Sequence, residues 1–485
     1  MGEMSLVFDL VIRNATVFDG SGQPAYEADI GVNGDRIAYL GSEMTIRGER
    51  EVTAGGLAVT PGFIDVHTHD DNALLVDPAM APKVTQGVTS VITGNCGISL
   101  APLVTNAPPA PLSLLDPDGR NAFRFESFED YVQALKARPA AVNAALLVGH
   151  STLRAAVMDD LGRPATAAEA EAMAAILDAA MASGAIGLSS GLWYPPATAA
   201  TMSEVVRVLQ PVQQRGGVYT THMRNEDDDV ALSLEESFET ARQARIPLVV
   251  SHHKCIGAAN FGRSVETLGL IDAAASRQDI SFDAYPYTAG SSALLLGPVT
   301  KSSKVTVTWS EALPEFAGRD LDALAAEWGV GRVEAAQRLM PGGAIYHMMD
   351  EADVSRILAH PSCMIGSDGL PHDAFPHPRL WGTFPRILGH YVRERRLFTL
   401  EEAVRRMTSL PADRFGLQGR GRIVIGAYAD LVMFDPAAIE AMATFEEPTR
   451  PARGLHLVMV NGEIVYQDNK LTPARPGRVL ERRAA

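Results

Sequence analysis

The chain has 485 residues, is 46% hydrophobic and 21% charged, and carries a formal net charge of -16. That length accommodates one large domain plus a smaller one, and the acidic balance excludes nucleic acid and anionic membrane as partners because either would be repelled. The three cysteines, Cys96, Cys255 and Cys363, are too few for a disulfide framework and fit a reducing cytoplasm, the start Met1–Ser5 lacks the basic region of a signal peptide, and no apolar run is long enough to span a bilayer.

Residues 1–60 read as short strands and turns, the N-terminal part of a small β-domain. Phe8–Ile12, Ala28–Val32 and Arg36–Leu40 are strand-like, and Asn33-Gly34 between the last two signals a hairpin. From Pro61 to Leu417 apolar strands alternate with helical stretches, which predicts parallel βα units. Eight strands are expected: Phe63–Val66, Ser90–Thr93, Ala145–Val148, Ile186–Ser189, Val218–Thr221, Pro247–Val250, Ile280–Ala284 and Cys363–Gly366. Thr166 with Glu169, and Thr399 with Glu402, read as capping boxes opening intervening helices. This pattern specifies an α/β fold, a (β/α)8 TIM-like barrel over 61–417. The stretch before the eighth strand is too long for one helix, so an insertion at about 286–345 is expected as a lid over the barrel mouth. After residue 417 the short-strand pattern returns, with Ala429–Phe434 and Leu457–Val460 as strands and Asn461-Gly462 as a turn. Neither β segment can bury a core alone, so both chain ends, 1–60 and 418–485, are expected to join in one small β-sandwich domain. The Pro- and Arg-containing tail 473–485 is expected loosely draped on the surface.

Catalytic groups of such barrels lie at the C-terminal ends of the strands. His67 and His69 follow the first strand, and residues two apart in a strand face the same way. Paired imidazoles suit a divalent transition metal, although for an isolated pair two polar residues closing a buried strand is the better reading. Here Cys96 follows strand two, His222 strand five, His252 strand six and Asp368 strand eight, a distribution that 12 histidines and 3 cysteines scattered by chance would not produce. Strand four ends in Ser189-Ser190-Gly191 and strand seven in Asp283-Ala284-Tyr285. His253 alternates away from His252, and His150, His347, His360, His390 and His456 read as structural or exposed. Cys255 and Cys363 read as buried apolar residues, and Asp227–Asp229, following Glu226, as a solvated run.

With these residues in place the chain resembles the amidohydrolase superfamily, and within it the N-acyl-D-amino-acid deacylases. The stretches Gly94-Asn95-Cys96-Gly97, Thr221-His222-Met223-Arg224, Ser251-His252-His253-Lys254-Cys255, Gly366-Ser367-Asp368-Gly369 and His377-Pro378-Arg379-Leu380-Trp381-Gly382 carry the resemblance. It implies a tight zinc held by Cys96, His222 and His252, and a second, weaker metal position at His67, His69 and Asp368. Many binuclear relatives carry a carboxylated lysine on strand four; its absence here favours one functional zinc. Asp368 would serve as general base and then as acid toward the leaving amine. Arg379, Lys254, Tyr285 and Ser291 would hold the carboxylate of a small N-acyl-D-amino acid, and Trp193, Tyr346 and Met349 would line an apolar side-chain pocket. The alternatives are an N-acyl-D-glutamate or N-acyl-D-aspartate deacylase, a hydantoinase-like cyclic-amide hydrolase, and a non-catalytic scaffold. A monomer or small homo-oligomer is expected.

Overall fold

The computed structural model describes residues 7–42, 46–116, 119 and 121–482. Eight parallel strands run in chain order: β1 (Phe63–Asp65), β2 (Val88–Thr93), β3 (Asn143–Gly149), β4 (Gly187–Gly191), β5 (Val218–His222), β6 (Leu248–Val250), β7 (Ile280–Ala284) and β8 (Cys363–Ile365). Each hydrogen-bonds to the next. The seam between β8 and β1 is closed by Val66 N donating to Ile365 O at 3.5 Å and by a bridge between Thr68 and Gly369. Alternation decides what each side chain covers. Ile64, Ile92, Leu147, Val218, Val249 and Met364 fill the barrel interior, while Phe63, Val91, Leu146, Tyr219, Val250 and Phe282 pack outward in a second, larger core. Both faces are therefore buried, which is why these strands read as apolar runs.

The helix Ala167–Ala182 opens with the full reciprocal box between Thr166 and Glu169. At Leu400–Met407 only half of it forms: Thr399 Oγ1 accepts from Glu402 N at 3.3 Å. The Glu402 carboxylate is spent instead on Arg405 and Arg406, at 2.8 and 2.7 Å.

The chain ends meet in one continuous nine-stranded sheet. Ala58–Pro61 from the N-terminal side pairs antiparallel with Leu431–Phe434 from the C-terminal side. The sheet folds over a shared core of Ile12, Ile30, Val32 and Ile37 with Leu431, Leu457 and Met459. Its two hairpin turns touch: at Gly462, with φ of +82°, a Cβ would lie 2.0 Å from Gly34 O. The tail departs from expectation. Val479–Leu480 adds a parallel strand beside β3, with Ala144 N donating to Arg478 O at 2.9 Å, because the lower end of β3 leaves backbone groups unpaired.

Between β7 and β8 the chain builds a unit with its own core. Strands Ala289–Ala293, Lys304–Ser310 and Gly342–His347 form an antiparallel sheet, and helices Leu296–Lys301, Leu321–Trp328 and Arg332–Leu339 pack on it. Val299, Val305, Leu321, Leu324, Leu339 and Tyr346 fill that core. The first of these strands, Ala289–Ala293, runs along the barrel mouth.

Candidate active site

The six residues expected around a metal converge at the C-terminal end of the barrel. Cys96 Sγ lies 3.2 Å from His67 Nε2 and 3.3 Å from His252 Nε2. Asp368 Oδ1 lies 3.3 Å from His69 Nε2 and 3.6 Å from His67 Nε2. Among the described residues two groups of donors could hold an ion, each within a 4.8 Å span: His67, Cys96, His252 and Asp368, and His222, Glu226 and His252. His252 belongs to both, so the two positions adjoin. Neither ring nitrogen of the buried His222 has a hydrogen-bond partner, a state that coordination would relieve.

Local backbone geometry aims these groups. Cys96, His252 and Asp368 have φ of +54°, +36° and +48°. Left-handed backbone is costly for such residues and persists where the surroundings impose it. Neighbouring glycines make room, since a Cβ on Gly94 would meet Leu147 O at 2.1 Å. Asp283 accepts the amides of both His252, at Oδ1 (2.9 Å), and His253, at its backbone carbonyl (2.7 Å).

The donor set is anionic where a cation would sit. Burial disfavours the Cys96 thiolate, but His67 and His252 outweigh it and hold the thiol well below its ordinary value. Burial likewise opposes the Asp368 carboxylate, and Arg379, 2.8 Å from its Oδ2, then His252 and His69, hold it well below the carboxylate range. Glu226 is buried and ionised against Lys254 Nζ at 2.6 Å, and its Oε1 lies 3.1 Å from His252 Nδ1.

The cluster opens on a cavity of about 410 Å³, counting space open to solvent. Trp193, Lys254, Tyr285, Ser291 and Tyr346, all expected here, line it together with Asp368. Trp193 stacks on His222 with ring centroids 5.6 Å apart. Arg379 stands just behind the wall: its Nη2 donates to Ser291 O at 3.0 Å, its guanidinium lies 4.6 Å from the Tyr285 ring centre, Nη1 is the atom paired with Asp368 Oδ2, and Nε makes no hydrogen bond. Met349 is not on the wall. Its sulfur faces the Tyr285 hydroxyl at 3.8 Å from the far side, and Met348 takes the lining position, because neighbours in extended chain face opposite ways.

Glu226 and Tyr194 carried little sequence signal, whereas His377 stands in a motif already singled out. Glu226 looked like the start of an acidic, solvated run. Its spacing four after His222 was the one available clue. Tyr194, whose hydroxyl is 3.2 Å from Ser292 Oγ, bridges the loop after β4 to the insertion. His377 supports Arg379, accepting its backbone amide at Nδ1 (2.9 Å) while Nε2 faces Ala289 O at 3.0 Å. The other histidines are held elsewhere: His253 faces Thr267 Oγ1 at 2.9 Å, and His150 lies 3.1 Å from Glu204. All three cysteines are free and buried.

Residues 50–292 and 301–466 match the amidohydrolase family. The chain is 56% identical to D-aminoacylase of Alcaligenes xylosoxydans xylosoxydans over 478 residues, covering 99% of this chain and 98% of that protein. It superposes on a crystal structure of D-aminoacylase with a TM-score of 0.96 at 54% identity, over 98% of this chain and all of the other. The N-acyl-D-glutamate deacylase of Bordetella bronchiseptica, solved with zinc and a phosphonate mimic of the tetrahedral intermediate, matches at 0.94 and 43% identity, over 98% and 99% of the two chains. With this agreement along its whole length, the chain belongs to the amidohydrolase family and is a hydrolase of its D-aminoacylase subset.

Proposed function

We propose that this enzyme hydrolyses the linear amide bond of N-acyl-D-amino acids with neutral, apolar side chains, using zinc. The observation that carries the reading is the six-donor cluster opening onto a cavity with a buried, incompletely hydrogen-bonded guanidinium beside it. Cys96, His222 and His252 would hold the tight ion, and His67, His69 and Asp368 a weaker second position. A thiolate and imidazoles suit zinc, and a buried His222 with no hydrogen bond at either nitrogen fits that assignment. Bound there, the metal supplies Lewis acidity, polarising the amide carbonyl and lowering the pKa of water toward ~7.

The chain's own groups do the rest. Asp368, kept ionised by Arg379, accepts the proton of the attacking water and returns it to the departing amine. An amide nitrogen leaves poorly unless protonated, so the second transfer is as necessary as the first. Arg379 offers its free Nε to the substrate carboxylate while Nη1 stays on Asp368, and Lys254 and Tyr285 offer further donors on the cavity wall. Ser291 contributes through its carbonyl, which fixes Arg379 Nη2. A carboxylate clamp and a metal, both fixed, leave one direction for the side chain, which selects D over L.

That direction is apolar: Trp193, Ile256, Pro298, Tyr346 and Met348 line the cavity. Its cation, Lys254, is already paired with Glu226 and flanked by His252 Nδ1 at 2.7 Å. With Arg379 and Lys254 both turned to the substrate's α-carboxylate, an acidic side chain would find no further lysine or arginine on the lining, and this supports the neutral class over aspartate and glutamate derivatives. A cyclic-amide hydrolase is disfavoured by the buried Ser189 and Ser190 where the bridging lysine would stand. The test is amine release from N-acetyl-D-methionine, N-acetyl-L-methionine and N-acetyl-D-glutamate by zinc-loaded and chelator-stripped protein. Zinc-dependent cleavage of D-methionine derivatives alone is expected. Faster cleavage of the glutamate derivative would overturn the side-chain assignment, and cleavage of the L form would overturn the stereochemical one.

A further inference from the structure

A fully buried lysine lies directly behind the site and takes no part in the chemistry above. Lys83 Nζ is 2.8 Å from each of Asp65 Oδ2, Thr68 Oγ1 and Ser367 Oγ, and 3.3 Å from Asp70 Oδ2. An ammonium has three donors, and all three are used. Its partners come from both sides of the seam where the barrel closes: Asp65 ends β1, Thr68 and Asp70 follow it, and Ser367 follows β8.

Two of the same side chains hold the backbone that carries three of the six donors. Asp65 Oδ1 accepts from Ser367 N at 2.8 Å and from His67 N at 3.3 Å. Ser367 Oγ accepts from Gly369 N at 3.1 Å. Across the seam the backbone adds three hydrogen bonds, Val66 N to Ile365 O at 3.5 Å, Asp368 N to His67 O at 2.7 Å and His69 N to Gly369 O at 3.1 Å, and the side chains around Lys83 brace them. Three residues beyond Lys83, Gln86 grips the helix that begins with Arg379. It donates to Leu380 O at 2.7 Å and accepts from Phe384 N at 3.2 Å.

We propose that Lys83 is a positioning residue that locks the β1–β8 seam, holding His67, His69 and Asp368 in the mutual geometry that the second metal position and the proton transfer require. The inference rests on Asp368 acting as proposed above. Lys83 touches no reacting atom; it acts through Asp65, Thr68 and Ser367. Its ammonium is also the countercharge of two buried carboxylates, so a neutral residue there would leave both without a cation.

The experiment compares Lys83→Met with the double variant Lys83→Met/Asp65→Asn, which removes one of the stranded charges while keeping the oxygen that serves His67 and Ser367. Zinc binding is titrated directly, near-UV circular dichroism reports packing, and kcat and KM are measured on N-acetyl-D-methionine. In the double variant, parent-like packing and a parent-like first zinc equivalent are expected. Affinity for a second equivalent and kcat should each fall by about ten- to a hundredfold, the range for residues that orient metal ligands, with KM little changed. A folded double variant with parental second-site affinity and kcat would overturn the proposal. So would loss of the fold in both variants, or an equal loss at both metal positions, since Lys83 would then serve the fold alone. A parent protein that binds zinc but cleaves no N-acyl-D-amino acid would count against the proposed function, while the zinc titrations would still decide the role of Lys83.

Discussion

Replacing Arg379 by methionine tests the most consequential contact in the site. The side chain is 1% exposed, and its guanidinium has two jobs in the proposed mechanism. It holds the substrate carboxylate, and it keeps Asp368 ionised across 2.8 Å. A hydrogen bond to a charged group contributes about 1.5–3 kcal/mol. Since about 1.4 kcal/mol is tenfold, losing the clamp alone costs about 10- to 150-fold in kcat/KM, expressed mainly in KM. The second job predicts a separate effect on pH dependence. Burial pushes the Asp368 carboxyl up, and Arg379 is the largest influence pushing it down. Without Arg379 the value rises, the base is protonated over a wider acid range, and the acid limb of kcat moves to higher pH.

The assay is steady-state hydrolysis of N-acetyl-D-methionine and of its carboxamide, which lacks the carboxylate, across the pH range. The parent should prefer the carboxylate form strongly, and Arg379→Met should lose most of that preference. If the variant loses activity equally on both substrates, Arg379 supports Asp368 but does not hold the carboxylate. If the acid limb stays in place, the coupling between the two residues is refuted.

Asp368→Ala should retain the zinc held by Cys96, His222 and His252, measured by metal analysis, while kcat falls by about 10²–10⁴-fold, the usual contribution of a general base; substantial remaining turnover would remove Asp368 from the mechanism. At the edge of the insertion, the buried Oδ2 of Asp373 faces strand Lys304–Ser310, where Phe375 N donates to Thr308 O at 2.9 Å. Burial raises the Asp373 carboxyl to about 7. Because the folded value lies above the unfolded one of about 3.9, its contribution is fully present below that lower value and is lost as pH rises through about 7. Amide exchange in 304–310, corrected for its intrinsic pH dependence, should therefore rise between about pH 4 and about pH 7 in the parent, level off above that, and stay flat in Asp373→Asn. An identical profile in both would refute the assignment.

Much of the architecture was legible because it rests on local periodicity. Each barrel strand alternates an interior residue with an outward one, yet both faces are apolar, so the runs at Val88–Thr93 or Ile280–Ala284 stand out unaided. The observed strand bounds lie within two residues of those expected. The convergence of the candidate donors was legible for a related reason. The C-terminal end of a strand is a position in the chain, so His67, His69, Cys96, His222, His252 and Asp368 could be placed before any coordinate was known. The Thr399 cap was half right, since the box pattern does not say whether arginines one turn on will claim the glutamate.

What spacing cannot carry is partnership between distant segments. Lys83 and Ser367 are 284 positions apart, and nothing near either marks the other. Glu226 stands at the head of an acidic run, and only the fold turns it inward to Lys254. Met348 and Met349 are adjacent and chemically identical, and which one meets the cavity depends on how the chain leaves the insertion's last strand, Gly342–His347. The tail carries no strand pattern because two residues suffice to complete the edge of β3. The chain's own pattern of apolar and metal-binding residues thus specifies a barrel with a metal-type site at its mouth. Tertiary structure alone decides which charges neutralise one another there, and why Cys96, His252 and Asp368 can be held in left-handed backbone: that cost is met by contacts that exist only once the barrel has closed.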